Sequence, residues 1–165
     1  MIRILKGGRC YCPDDYGMKN IVILYDRVYG VLYDTAAYEK LPHVKVYDCS
    51  NKIICPGFID IHVHILGGGG EQGEQSRLPE IGVKEITAAG VTTLVGVLGT
   101  DGVTKDTRAL LAKARELEKQ GITTYIYTGS YSVPPVTATG SVLTDMVLVD
   151  KVVGIGEIAI SDHRS

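Results

Sequence analysis

The stretch Pro56-Gly57-Phe58-Ile59-Asp60-Ile61-His62-Val63-His64 decides how the rest of the chain is read. Its centre is an apolar, β-branched run, the composition of a strand buried in a sheet. In a strand, residues i and i+2 share a face. His62 and His64 therefore present two imidazoles side by side, as a divalent metal takes them. Asp60 has the same parity and joins that face. The glycines Gly67 to Gly70 follow at once, so the strand opens into a loop just past the histidines. Two histidines packed or solvated at a strand end are the plain alternative. The Pro-Gly-Phe-Ile-Asp approach and the glycine-rich exit favour the metal.

Downstream, strand and helix patterns alternate. Gly57 to His62 reads as a first buried strand, and the sequence predicts a helix from Pro79 to about Ala89. Pro79 suits the first helical position and Gly90 the C-terminal cap. Val91 to Val97 is a second strand. Thr104 to Gln120 is a helix whose apolar face is Leu110, Leu111, Ala114 and Leu117, closed by Gly121. Ile122 to Thr128 is a third strand, Ser141 caps a third helix to about Asp150, and Val152 to Ile160 is a fourth strand. Apolar strands alternating with helices predict a parallel sheet covered by helices. Four strands and three helices are half of a (β/α)8 TIM barrel, a fold of ~250 residues. On that reading residues 56–165 are a truncated barrel, with open sheet edges and an uncovered interior face. An independent four-stranded α/β domain is the alternative.

Upstream, residues 1–55 carry short segments rich in Val, Ile and Tyr: Ile2 to Leu5, Ile21 to Tyr25, Val28 to Tyr33, Val44 to Tyr47 and Lys52 to Cys55. Turn clusters such as Gly7-Gly8 and Pro13-Asp14-Asp15 lie between them. They predict a small antiparallel β unit, and roughly 50 residues are too few to bury a full core alone.

With 165 residues, 45% hydrophobic and 22% charged, the chain has the apolar content of a globular core. A net charge of -2, with acids and bases interspersed, points away from nucleic acid and anionic membranes. No apolar run approaches the ~20 residues of a membrane span, and no signal-peptide pattern opens the chain, which reads as cytoplasmic. Of Cys10, Cys12, Cys49 and Cys55, the Cys10-x-Cys12 pair is too tight for a zinc knuckle and is not the redox Cys-x-x-Cys. The even count leaves disulfides open, but an unsecreted chain favours free thiols acting as small buried hydrophobes.

Chemistry gathers at the C-terminal ends of strands in such sheets, and the polar outliers here fall there. They are His62, His64 and the Gly67 to Glu71 loop, Leu98-Gly99-Thr100-Asp101-Gly102, Thr128-Gly129-Ser130-Tyr131, and Ser161-Asp162-His163-Arg164-Ser165. Glu157 sits in the almost wholly apolar run Val152 to Ile160, where an ionised carboxylate is costly without a cation or dedicated donors. A metal supplies that cation, and two carboxylate oxygens can bridge two ions. A solvated glutamate at a sheet edge is the alternative.

These segments resemble a known family. Pro56 to His64 is similar to the first-strand signature of the amidohydrolase superfamily, metal-bearing (β/α)8 barrels beside a small β-sandwich. The glycine–glutamate loop, Val97 to Gly102, Tyr127 to Tyr131 and Ala159 to Ser165 narrow the resemblance to its isoaspartyl (β-aspartyl) dipeptidase family, N-terminal half only. The resemblance implies hydrolysis of the β-linked Asp–X bond of an isoaspartyl dipeptide by a metal-bridging hydroxide. It implies zinc, two ions per complete site, held here by His62, His64 and Glu157. Glu71 would hold the substrate ammonium, with Gly69 and Thr100 shaping that pocket. Tyr131 would donate to the scissile carbonyl, and Arg164 would hold a substrate carboxylate. Well-known members carry a carboxylated lysine where this chain has Glu157. Two further metal-binding histidines, a second arginine and a catalytic aspartate have no counterpart here, so the chain alone is expected to be inactive and the complete protein a homo-oligomer. Another amidohydrolase, such as a cyclic-amide hydrolase or N-acyl-amino-acid deacylase, and a non-catalytic fragment are the competing readings.

Overall fold

A computed structural model of the chain describes residues 1–70 and 72–159. They fold as two units, Met1–Pro56 and Gly57–Ser165.

The first unit contains β1 (Ile2–Tyr11), β2 (Asp15–Leu24), β3 (Arg27–Leu32), the short helix α1 (Ala36–Glu39), β4 (Val44–Asp48) and β5 (Ile53–Ile54). The sheet order is β3-β2-β1-β4, with β5 also on β1. β1, β2 and β3 pair antiparallel, as expected, but β4 and β5 run parallel to β1. The unit is therefore mixed rather than antiparallel. The segment carrying α1 returns the chain to the far side of β1, the crossover that parallel pairing demands. Gly7-Gly8 is not a turn either. β1 runs through it, with a register shift against β2 between Leu5 and Gly8, and the freed Gly7 N–H donates to Asn20 Oδ1 at 2.8 Å. Glycines at a bulge leave the strand continuous and bent. Ile4 and Val22, direct partners across β1 and β2, are fully buried. All four cysteines are free thiols, but only Cys10 is buried; Cys12 and Cys55 are exposed and Cys49 lies between. The reading of the cysteines as buried hydrophobes holds for Cys10 alone.

The second unit is a four-stranded parallel sheet in chain order: β6 (Phe58–Val63), β7 (Val91–Gly96), β8 (Thr123–Thr128) and β9 (Val152–Ile155). The helices α2 (Val83–Ala88), α3 (Thr107–Lys119) and α4 (Val142–Leu148) alternate with the strands. This is the β/α succession of a partial (β/α)8 barrel. Its core joins Leu94 and Ile126 on the strands to Leu110, Ala114 and Leu117 on α3, all without exposed surface. Burying one such leucine contributes roughly 2 kcal/mol. Leu111, one position round the helix, is only partly buried. Asp106 caps α3 by accepting from Ala109 N at 2.7 Å, so the helix starts three residues later than its apolar period suggests. Ser141 caps α4 as expected, accepting from Thr144 N at 3.4 Å.

Two further boundaries move, for identifiable reasons. Residues 79–82 are not helical, because the backbone there serves the preceding loop: Leu78 N donates to Gly68 O at 2.8 Å and Ile81 N to Ile65 O at 3.4 Å. Pro79 therefore lies outside the helix, and Gly82 takes the N-cap position of α2. β9 ends at Ile155 rather than Ile160, which leaves Glu157 in the loop beyond it. The edge strand β6 carries exposed Phe58, Ile59 and Ile61, and Val153 and Ile155 of β9 are 48% and 40% exposed. The open edges expected of a partial barrel are present. Among the described residues, no helix is long and apolar enough to cross a membrane.

Candidate metal centre

Parallel pairing places the ends of β6 to β9 along one rim. His62 closes the second half of β6, and His64 lies one residue past its end. The loop after β9 returns Glu157 to the histidines. One ligand atom from each of His62, His64 and Glu157 falls within 4.8 Å of the others, the separation at which a single ion can be shared. The imidazoles are tilted at 57° with centroids 5.4 Å apart, and His62 Nε2 meets Glu157 Oε1 directly. Asp60 shares the strand face of His62 but turns back to accept from the His62 backbone N–H at 3.1 Å. It is not part of the cluster.

Three observations fit this group to a divalent cation. His64 Nδ1 and Glu157 Oε2 are buried side-chain atoms with no hydrogen-bond partner, a costly state for a polar atom unless a ligand serves it. Two imidazoles and a carboxylate are a donor set that zinc accepts. Finally, Gly99 (φ +69) leaves room for the His64 ring: a Cβ there would lie 2.5 Å from its Cε1 and 3.6 Å from Glu157 Oε2.

His64 also opens onto a second feature. A small cavity of about 100 Å³ is lined, among the described residues, by His64, Gly68, Gly69, Leu98, Thr100, Asp101 and Tyr131. It draws on the loops after β6, β7 and β8. The structure thus brings Gly69, Thr100 and Tyr131 together beside the histidine cluster. Glu71 and Arg164 lie outside the described residues.

Asp101 belongs to a motif visible in the sequence, yet no role could be read for it there. Burial pushes its carboxyl up. Hydrogen bonds from the Thr104 side chain, Thr104 N (2.8 Å) and Val103 N (3.2 Å), together with the Arg77 guanidinium, outweigh that and hold it down to about 2. Asp145, which supports a loop of the site without lining it, is the other residue that sequence reasoning missed. It is fully buried in α4, and accepts from Thr128 Oγ1, Ala138 N (2.9 Å), Thr139 N (2.8 Å) and Thr139 Oγ1 (2.6 Å). Burial raises this carboxyl too, and those donors leave it below the usual range. It anchors the far end of the loop that carries Tyr131. An aspartate in an apolar helix is a weak signal of such a role, because its partners sit on other segments.

No family model matches the chain. Among solved structures, β-aspartyl dipeptidase from Fervidobacterium islandicum AW-1 is 49% identical over 100% of this chain, with a TM-score of 0.90. A second structure of that enzyme holds a β-Asp-Leu dipeptide and matches at the same identity. Dihydroorotase from Ehrlichia chaffeensis is 33% identical over 113 residues, 68% of this chain and 23% of that protein. Imidazolonepropionase from Aliivibrio salmonicida is 34% identical over 85 residues, 50% of this chain and 21% of that protein. The chain spans 45% of the length of the Fervidobacterium enzyme, less than half of it. Resemblance in the motifs and similarity along the whole chain lead to one place: this chain is similar over its full length to the front part of β-aspartyl dipeptidase.

Proposed function

We propose that the complete protein is a metal-dependent isoaspartyl dipeptidase, and that this chain supplies its first metal ligands and the amine end of its substrate pocket. On this reading residues 1–55 are part of a small β-sandwich and residues 56–165 the first four strands of the barrel. His62, His64 and Glu157 would hold the metal, which we take to be zinc, two ions in the complete site. When bound, the ions supply the Lewis acid and the activated water of an amide hydrolysis. The chain's own residues bind and orient the substrate. An isoaspartyl dipeptide carries one ammonium and two carboxylates, so an acid must face one end and a guanidinium the other. Glu71 takes the ammonium, with Gly69 and Thr100 around it, and Arg164 takes a carboxylate. Tyr131 donates its hydroxyl to the scissile carbonyl, where negative charge develops as the amide is attacked. The complete protein works as a homo-oligomer, and this chain alone does not turn over.

The observation that carries this reading is the shared position of His64. It belongs at once to the ligand cluster and to the wall of the cavity that holds Gly69, Thr100 and Tyr131. The test is hydrolysis of β-Asp-Leu, α-Asp-Leu and dihydroorotate by the zinc-loaded complete protein, with this chain alone in parallel. Cleavage of β-Asp-Leu only, by the complete protein only, is expected. Preference for dihydroorotate would replace the dipeptidase with a cyclic-amide hydrolase. Glu71→Gln separates the two again: it cripples an enzyme that needs an ammonium partner and spares one whose substrate has no amine.

A further inference from the structure

The loops after β6 and β7 form facing walls of the cavity, and side chains join them. The Arg77 guanidinium pairs with Asp101 and donates to Thr104 Oγ1 at 2.7 Å. Lys105 Nζ donates to Gly67 O at 2.9 Å. Asp101 is locked within its own wall by the N–H groups of Val103 and Thr104. Ser76, next to Arg77, gathers the opposite wall. Its Oγ accepts from Gly70 N at 3.1 Å and Gln72 N at 3.3 Å, and donates to Gly73 O at 2.8 Å. Those two N–H groups flank position 71. Gly69 (φ +78) is packed onto the same segment: a Cβ there would collide with the Ser76 carbonyl oxygen and lie 3.6 Å from Arg77 Cα. A line of contact therefore runs from Asp101 through Arg77 and Ser76 to Gly69 and the backbone on either side of residue 71.

We propose that Arg77 is a positioning residue for the amine end of the pocket. It does not line the cavity. By pairing with Asp101 and Thr104 it keeps Ser76 beneath Gly69, and so fixes the backbone of Gly69, Gly70 and Gln72. The planar guanidinium reaches both partners from one head group, whereas a lysine offers a single point charge. The assignment rests on the dipeptidase reading for its substrate, but the link between the loops stands on geometry alone.

The experiment has two arms. In the zinc-loaded complete protein, Arg77→Met is expected to raise KM for β-Asp-Leu about tenfold while kcat stays within about threefold, the pattern of lost substrate binding. Metal content and melting temperature remain those of the wild type, and Arg77→Lys recovers part of the KM. Arg77→Met with Asp101→Asn is no worse than Arg77→Met alone, since both break one link. N-succinyl-leucine, which lacks the amine, inhibits both proteins equally. An unchanged KM, or a parallel loss of kcat, metal and inhibitor binding, overturns the proposal. The second arm uses the complete protein without substrate: Arg77→Met should speed amide exchange at residues 69–73 about tenfold and leave β8 unchanged. If the wild type does not cleave β-Asp-Leu, the dipeptidase reading fails. Faster exchange would then still uphold Arg77 as the link, and unchanged exchange would remove it.

Discussion

Two carboxylates near the same sheet rim, one buried and one half-buried, are treated in opposite ways. Asp145 has no exposed surface, and four donors fill its oxygens. Glu157, with 18% of its side chain exposed, meets His62 through one oxygen and leaves the other buried and unserved. Burial without water must be compensated in each case. Donors do so for Asp145, which makes it a structural joint. For Glu157 the proposed compensation is a cation, and the same helix-covered sheet has positioned two imidazoles beside it. The contrast separates a fastening from a candidate ligand more sharply than burial or charge does alone.

That contrast can be broken experimentally, and the largest effect belongs to the fastening. Asp145→Ala strands several buried donors and should cost about 3 kcal/mol of stability, read from urea denaturation, with zinc affinity unchanged. Equal loss of zinc would show that the two carboxylates are not separate devices. Glu157→Gln should weaken zinc binding to this chain on the order of a hundredfold, since even groups outside the ligand shell are worth ten- to a hundredfold. Its metal-free stability should stay within about 1 kcal/mol of wild type; competition with a zinc chelator and a metal-free melt measure the two. Gly99→Ala should weaken zinc roughly tenfold by displacing the His64 ring, and cost about 1 kcal/mol from its positive φ. Titration of zinc into that variant gives the answer, and wild-type affinity would remove Gly99 from the site.

The smallest effect is on pH. The folded Asp145 carboxyl lies below its unfolded value, so its contribution is complete above the ordinary carboxylate range, near 4. It fades as pH falls toward the folded value. The stability gap between wild type and Asp145→Asn should therefore be constant from pH 7 to about 5 and narrow below about 4. A gap that widens on acidification would mean that the donors around Asp145 do not hold its charged form.

The sequence made the parallel sheet and its rim legible because period and composition report burial directly. Leu110, Ala114 and Leu117 mark one helix face, and His62 and His64 stand out against an apolar strand. Glu157 was legible for the same reason, as one charge in an apolar run. What stayed hidden depends on partners distant in sequence. Asp145 needs Thr128 and Thr139, Arg77 needs Asp101, and neither pairing leaves a periodic trace. Backbone competition was hidden too: Pro79 looks like a helix start until Leu78 and Ile81 are seen bonded to the preceding loop. The parallel placement of β4 and β5 followed from a crossover that short β-rich segments do not announce.

The hydrogen atom that stands for a side chain at Gly99 has a consequence for inheritance. Any single-base change that alters this residue adds at least a Cβ where the His64 ring lies. A side chain at position 99 is thereby opposed twice, by the His64 ring and by the positive φ; if the proposed metal were given up and the ring could swing away, the backbone strain alone would remain.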